Sequence, residues 1–335
     1  MALAEHLGSN GRDVIDAFVV GVEVQCRVAR AVLPSHYDTG WHITATAGVF
    51  GAAAASARLL KLTEQQTVWS LGLAATQAAG LREMFGSMAK SLHPGRAAQN
   101  GLAAALLARA NFTSAEAGVE GKRGFANVLS TTVDLARCTE ALGERYDLLR
   151  NMYKPYACGL VVHPSIDGCI RLRDEHGVKP EEVERIDLEV DPIVLEVTAK
   201  PAPVSGLESK FSVYHAAAVA LIDGAADEEQ FGDASTTRAD VIRLRGKVHA
   251  TPTQCMPRDA ARVTVRLRGG KTVSVKVDHC SGSVAQPMTD AQLDRKFMRQ
   301  CEPVLGAARA ESARDVMRRL DRIENISSML AQLAL

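Results

Sequence analysis

A lysine and a histidine three residues apart open the clearest chemical possibility in this 335-residue chain. Lys90 and His93 stand in "GSMAKSLHPGRAAQNG", where Pro94 and an alanine-rich run follow. Proline suits the first turn of a helix, so the spacing predicts a helix that starts at Pro94, with His93 at or near its N-cap. Free backbone N–H groups at such an end favour carboxylates and phosphates, and Lys90 and Arg96 add charged donors. A lysine desolvated among other cations can also lose its proton and act as a base. A solvated lysine beside a capping histidine accounts for the same residues without any chemistry.

Three further segments carry groups of matching type. "HYDTGWHITATAG" places His42 before a helix, among Thr39, Thr44 and Thr46. An imidazole there can move protons near neutral pH, or merely cap and pack. "YKPYACGLVVHPSIDG" holds Lys154 and Tyr156 just upstream of a second His-Pro helix start, His163-Pro164. The alternative is a boundary loop stiffened by Pro155. In "SKFSVYHAAAVAL", Tyr214 falls inside a helical pattern, where its hydroxyl can donate a proton or hold an anion, or simply be satisfied at a half-buried surface. Cys158 reads as a buried, inert thiol rather than a nucleophile.

The motifs that do not occur narrow the chemistry. There is no G-x-G-x-x-G at a strand–helix junction, no Walker loop, no G-x-S-x-G and no H-E-x-x-H, and the histidines are dispersed rather than at metal-ligand spacings. What remains is a site of His, Lys and Tyr that uses no cofactor and no metal. Lysine plus arginine and aspartate plus glutamate both number 39, giving zero formal charge. Such a chain has no basic field for nucleic acid or an anionic membrane. The seven cysteines are scattered and form no C-x-x-C pair, as expected for reduced thiols in a cytoplasmic protein. No apolar stretch is long enough to span a bilayer, and "MALAEHLGSNGRD" has no apolar signal core.

These groups need elements to hold them, and the chain supplies two kinds. With 47% hydrophobic residues it is long enough for a large core and two domains. "GRDVIDAFVVGVEVQCRVARAVL" has apolar residues at helical spacing and stops at Pro34. "ATAGVFGAAAASARLLKL" is rich in small residues, which let helices approach closely. Thr63 and Gln66 have the spacing of a capping box, and Thr113 and Glu116 repeat it. After about Arg150 the character changes. "HPSIDGCIRLRDEHG" reads as a helix, "VERIDLEVDP" alternates with Ile186, Leu188 and Val190 on one face, and "ARVTVRLRGGKTVSVKVDH" reads as a hairpin through Gly269-Gly270. From "TDAQLDRKFMRQCEPVL" onward the pattern is helical again. The expectation is an all-α helical domain of residues 1–150 plus 288–335, with an inserted α+β domain of residues 151–287.

Taken together, "GWHITATAGVFGAAAASARLLKL", "GLREMFGSMAKSLHPGRAAQNGLAAALLA", "KPYACGLVVHPSIDG" and "ESKFSVYHAAAVALIDG" resemble the MmgE/PrpD family, in the family's order and over most of the chain. That family includes 2-methylcitrate dehydratases, cis-aconitate decarboxylases and iminodisuccinate epimerases. The resemblance implies a helical domain with an α+β lid, a site in the cleft between them, a homodimer, and small di- or tricarboxylate substrates handled without metal or organic cofactor. It implies catalytic roles for His42, Lys90 and Tyr214, with His163 as a candidate substitute. Some members carry a histidine five residues after the lysine matching Lys154, and that position here is Gly159. His93, Arg96, Ser87 and Lys154 are the candidates for holding substrate carboxylates. Family members also begin with a helical segment bearing a "D-x-D-D-T/S"-like motif, which is expected to be missing here. The expected reaction is dehydration of a 2-methylcitrate-like hydroxy acid. The alternatives are epimerisation of a small dicarboxylate, or a truncated, non-catalytic paralogue.

Overall fold

A computed structural model describes residues 1–333. The chain is mostly helical with one small mixed sheet, and it divides into two compact units. Met1–Met84, Ala89–Arg150 and the chain from Ala291 onward make the first, while Phe85–Met88 and Asn151–Asp290 make the second.

The first unit is built by helices, and its described residues contain no strand beyond an isolated Trp41–Leu81 bridge. Helix α1 (Gly11–Val32) begins where the Asn10 side chain accepts from the Asp13 N–H, and it ends before Pro34. It packs on α2 (Ile43–Leu59), and small residues set how closely. A Cβ on Gly21 would stand 2.8 Å from the Gly51 carbonyl oxygen, and one on Gly51 would stand 2.7 Å from that of Gly21. The two backbones therefore touch with no side chain between them. Helix α3 (Glu64–Ala75) starts with the Thr63/Gln66 capping box that the sequence predicts, both reciprocal bonds being present. Val28, Val32, Val49, Phe50, Leu73, Ala97, Ala104 and Phe125 form the core, with Phe50 and Phe125 edge to face at 4.8 Å.

Two expectations fail in this unit. Helix α4 (Met88–Arg109) starts six residues before Pro94, so Pro94 lies inside it and His93 is not its N-cap. Proline costs an interior helix the bond from its missing N–H, here the one that would reach the Lys90 carbonyl. The sequence preceding Pro94 is nonetheless helical. The N–H-rich end of α4 thus lies at Met88, with Lys90 in the first turn. Secondly, Thr113 and Glu116 cap no helix: residues 113–124 are irregular chain and turns. Glu116 instead accepts from Gln65, and Ser114 Oγ donates to the Trp69 carbonyl. The 138–148 segment, the end of a short helix followed by turns, is pinned to α1 by a buried ion pair. Arg27 meets Glu23 at 3.2 Å and donates to the carbonyls of Glu140 and Arg145, and Glu23 accepts from the Leu148 N–H. Both charges are buried and both are hydrogen-bonded, as such a pair requires.

The second unit centres on a four-stranded sheet in the order β2-β1-β3-β4. Its strands are β1 (Val183–Val190), β2 (Val248–Pro252), β3 (Ala261–Leu267) and β4 (Thr272–Val277). Leu188, Val263 and Val275 align across β1, β3 and β4, as do Val190, Ala261 and Val277, all on one buried face. Helices α5 (His163–Asp174) and α6 (Val213–Asp223) pack within this unit; α5 lies against β3 and β4, and α6 lies against α5 and β2. The other face is polar, with Asp187 opposite Thr264 and Glu189 opposite Arg262. Gly269 and Gly270 both have positive φ in the predicted hairpin turn. Strand β2, parallel to β1, has no counterpart in the sequence reading. Only Val248 of its five residues is buried, so it lacks the alternation that marks a strand.

All seven cysteines are free. Burial pushes the Cys158, Cys169 and Cys280 thiols up to about 12, so the expected inertness of Cys158 has a physical cause. Cys255 is exposed. Iodoacetamide at pH 8 is expected to alkylate Cys255 first and to leave Cys158, Cys169 and Cys280 intact in the folded protein. Mass spectrometry of a time course reads this out, and early modification of Cys158 would contradict it.

Candidate active site

The structure brings two of the proposed site residues into direct contact within the first unit. His42 is the N-cap of α2, and its carbonyl accepts from the Ala45 and Thr46 N–H groups. His93 sits on α4. The two Nδ1 atoms are 2.8 Å apart, with ring centroids at 5.1 Å. Two imidazole Nδ1 atoms at that distance need one hydrogen between them, so one ring donates and the other accepts. His42 is buried and His93 half-buried. Burial first, then His93 and Lys90, lower the His42 pKa to about 4, so His42 is neutral at physiological pH.

Several features hold this arrangement. Gly80 lies beside it with φ +148°, and its carbonyl accepts the His42 backbone N–H at 2.9 Å. A Cβ at position 80 would stand 2.5 Å from Ala45 Cβ and 3.4 Å from the His93 ring, so only glycine leaves room for both. The Trp41–Leu81 bridge joins the same two stretches. His36, fully buried, supports the next turn. Its Nδ1 lies 2.9 Å from the Leu129 carbonyl, which can only accept, so Nδ1 carries the hydrogen. Its Nε2, 2.7 Å from Thr46 Oγ1, therefore accepts from that hydroxyl. Its ring stacks on Trp41 at 5.9 Å. Neither Gly80 nor His36 emerges from the sequence as a site residue. His36 opens the segment that contains His42, but nothing in its spacing announces a partner at Leu129.

The other candidates are distributed as follows. Lys90 is half-buried in the first turn of α4, close enough to lower the His42 pKa. Arg96 is exposed and donates to Gln99 at 2.8 Å. Ser87 belongs to the second unit and is exposed. Also in the second unit, the Lys154 ammonium donates to the Cys158 carbonyl at 3.2 Å. His163 is fully buried, its ring edge to face with Tyr156 at 5.2 Å. Tyr214 is half-buried on α6, and His215 beside it is fully buried with its ring bonded to the Gln230 carbonyl. Tyr156 donates to Asp167 at 2.5 Å, and Asp167 also accepts from the Ser281 N–H. Burial raises both the phenol and the carboxyl pKa. Asp167 is a residue that the sequence reading missed, since "HPSIDG" looks like an ordinary helix start. The pair borders a cavity of about 650 Å³ with Arg171, Lys276 and His279. Those three cationic or basic groups are already paired with Glu175, Asp278 and Asp259.

Among the described residues no group of three or more His, Cys, Asp or Glu is placed to hold a metal ion, and no helix is long and apolar enough to cross a membrane.

Sequence comparison places this geometry in a known context. Residues 1–137 match the MmgE/PrpD N-terminal domain and residues 156–322 match the MmgE/PrpD C-terminal domain. The chain belongs to the MmgE/PrpD family. Among its curated relatives is a cis-aconitate decarboxylase of Aspergillus terreus, 27% identical over 96% of this chain and 70% of that protein. A cis-aconitate decarboxylase of Homo sapiens is 26% identical over 97% of this chain and 70% of that protein. A cis-aconitate decarboxylase-like protein of Aspergillus oryzae is 25% identical over 96% of this chain and 71% of that protein. Within this MmgE/PrpD chain, both members of the histidine pair fall inside the matched N-terminal domain.

The buried histidines make stability depend on pH. His36, His42 and His215 all have folded pKa values lowered by burial. Below about 6.5, the ordinary histidine value, the unfolded chain binds protons that the native one refuses. Stability is therefore full above about pH 6.5 and falls as the pH drops towards about 4, the folded value for His42. The urea midpoint is expected to fall between pH 7 and 5.5, where ordinary carboxylates stay ionised. A His42→Gln variant should show a shallower fall. A midpoint that rises or stays level in the wild type would contradict this.

Proposed function

We propose that this MmgE/PrpD protein is a cofactor-independent lyase acting on a small di- or tricarboxylic acid. The observation that carries the proposal is the buried His42–His93 pair at 2.8 Å with Lys90 beside it. Chemistry on such acids turns on a proton beside a carboxylate. Taking that proton creates an enolate-like dianion, whose charge is the main cost. At neutral pH the His42 imidazole is unprotonated and can accept that proton. Lys90, in the N–H-rich first turn of α4, would neutralise the carboxylate that gains charge. In the second unit, Tyr214 and His163 are proposed as proton donors and Lys154 as a carboxylate ligand. Arg96 and Ser87 are proposed as further ligands.

Two reactions are supported by different observations: in one, loss of carbon dioxide leaves an electron pair on carbon that takes a proton from the pair, and in the other, proton removal is followed by loss of hydroxide as water. Loss of carbon dioxide from a cis-aconitate-type acid is favoured by the relatives, which bear that activity in their names. Loss of water from a 2-methylcitrate-type hydroxy acid is favoured by Gly159, which stands where some family members are expected to carry a further histidine. A homodimer is part of the same proposal, and light scattering on the purified protein tests it.

The deciding experiment incubates the wild type and a Lys90→Ala variant with cis-aconitate, citrate, 2-methylcitrate and related acids in deuterated water. Carbon dioxide release, formation of an unsaturated acid, and deuterium uptake without net change identify decarboxylase, dehydratase and epimerase. Identical inactivity of both proteins on every acid would sink the proposal.

A further inference from the structure

We infer that His93 is a positioning and proton-storing partner of His42, rather than a carboxylate ligand. The inference rests on the proposed role of His42 as the proton-transferring group, and it deepens that reading.

The geometry supplies the argument. The His93 Nδ1 is occupied with the His42 Nδ1 at 2.8 Å, so this nitrogen faces another imidazole rather than a substrate. His93 lies in the second turn of α4, past the end where backbone N–H groups are free to hold an anion. Gly80 and Ala45 hold the pair from the side, since any side chain at position 80 would meet them. Lys90 and His93, both on α4, are among the groups that lower the His42 pKa, after burial. Arg82, on the neighbouring turn, lies 3.9 Å over the Tyr37 ring and donates to the Tyr37 carbonyl.

The proton inventory follows from one hydrogen between two rings. In the proposed resting state His42 carries Nδ1–H and donates it to the lone pair of His93 Nδ1, and His93 carries its own hydrogen on Nε2. The His42 Nε2 is then the basic atom. When the substrate C–H bond breaks, its electron pair stays on the substrate as the enolate and its proton goes to His42 Nε2. The shared hydrogen passes from His42 Nδ1 to His93 Nδ1. His42 ends neutral, now as the Nε2–H form, and His93 ends as the imidazolium. The charge sits on the half-buried ring rather than the buried one, where water solvates it better. The reverse sequence delivers a proton to carbon, so the same pair serves any of the family's reactions.

The test begins with nitrogen-15 NMR of the labelled, full-length protein as a function of pH, which requires no substrate. At neutral pH the expected result is one ring protonated at Nδ1 and its partner at Nε2, assigned by His42→Gln and His93→Asn variants. On acidification the pair takes up one proton, His93 becomes doubly protonated, and His42 switches from the Nδ1–H to the Nε2–H form. Two Nε2–H rings that titrate independently, or an imidazolium on His42, would overturn the inference. The kinetic arm uses His93→Asn, which keeps a hydrogen-bonding group but stores no proton. Its kcat is expected to fall about 10²-fold, with KM unchanged and the acid limb of the pH–rate profile displaced. A rise in KM with unchanged kcat would mark His93 as a carboxylate ligand and overturn the inference. A protein that converts none of the acids, yet shows the proton switch, would support the pair and sink the proposed activity instead.

Discussion

A His42→Ala variant is expected to lose about 10²–10⁴-fold in kcat on whichever acid the wild type converts, with the fold retained. The imidazole is the only buried group of the His42 loop that both meets a second titratable ring and has its pKa lowered to about 4. Its removal takes away the base without disturbing the helix cap, because His42 caps α2 through its backbone carbonyl and makes no side-chain cap bond. The circular dichroism spectrum should therefore be unchanged. Loss of the lowered histidine pKa should also flatten the acid limb of stability. A variant that turns over at the wild-type rate would remove His42 from the mechanism.

The second large effect is mechanical. A Cβ on Gly101 of α4 would stand 2.5 Å from Ala52 Cβ and 2.6 Å from both the Ala53 nitrogen and the Val49 oxygen of α2. Two of those three atoms are backbone and cannot turn aside. Gly101→Val must push the helices apart, at a cost of about 1–3 kcal/mol or more. In a unit of this size that is a drop in Tm of roughly 2–4 °C for each kcal/mol. The same two helices carry His42 and His93, so the 2.8 Å contact should lengthen and activity should fall with stability. Gly95 is the control, since a Cβ there meets nothing within 4 Å. Gly95→Ala should leave Tm level or raise it, because alanine is the better helix former by roughly 0.5–1 kcal/mol. Equal losses in the two variants would show that the close approach at Gly101 is not what decides.

Periodicity carried the long elements into view, and the reason lies in one-sided burial. Strand β1 reads correctly because Ile186, Leu188 and Val190 point to one buried face. Helix α5 reads correctly because Pro164 stands in its first turn and Gly177 turns the chain after it. The failures share a different cause, which is that a local signal had two uses. Pro94 suits a helix start better than a helix interior, yet the helix runs through it and forgoes the bond to the Lys90 carbonyl. The Thr113/Glu116 spacing fits a cap, yet both stretches of turn around it are held by bonds to α3 and its neighbours. For the site, the residue types were legible and the pairing was not. His42 and His93 are 51 positions apart, and nothing in either segment names the other. Gly80, which makes room for the pair, is a glycine among 26 in the chain.

The way the chain closes on itself has a consequence for synthesis. Gly11 donates to the Ile323 carbonyl, Ile326 donates to the Ser9 carbonyl, and Arg12 reaches the Asp321 carbonyl across 309 positions. The first unit thus cannot complete its hydrogen bonds until residues beyond 320 have left the ribosome. The second unit has its whole sheet within residues 183–277 and can close while those residues are still being made. During that interval Ser9, Gly11 and Arg12, at the start of α1, lack the partners that residues 321–326 supply. The first unit is therefore the last to be completed during synthesis, and the entry to α1 is the part of it that stays unpaired longest.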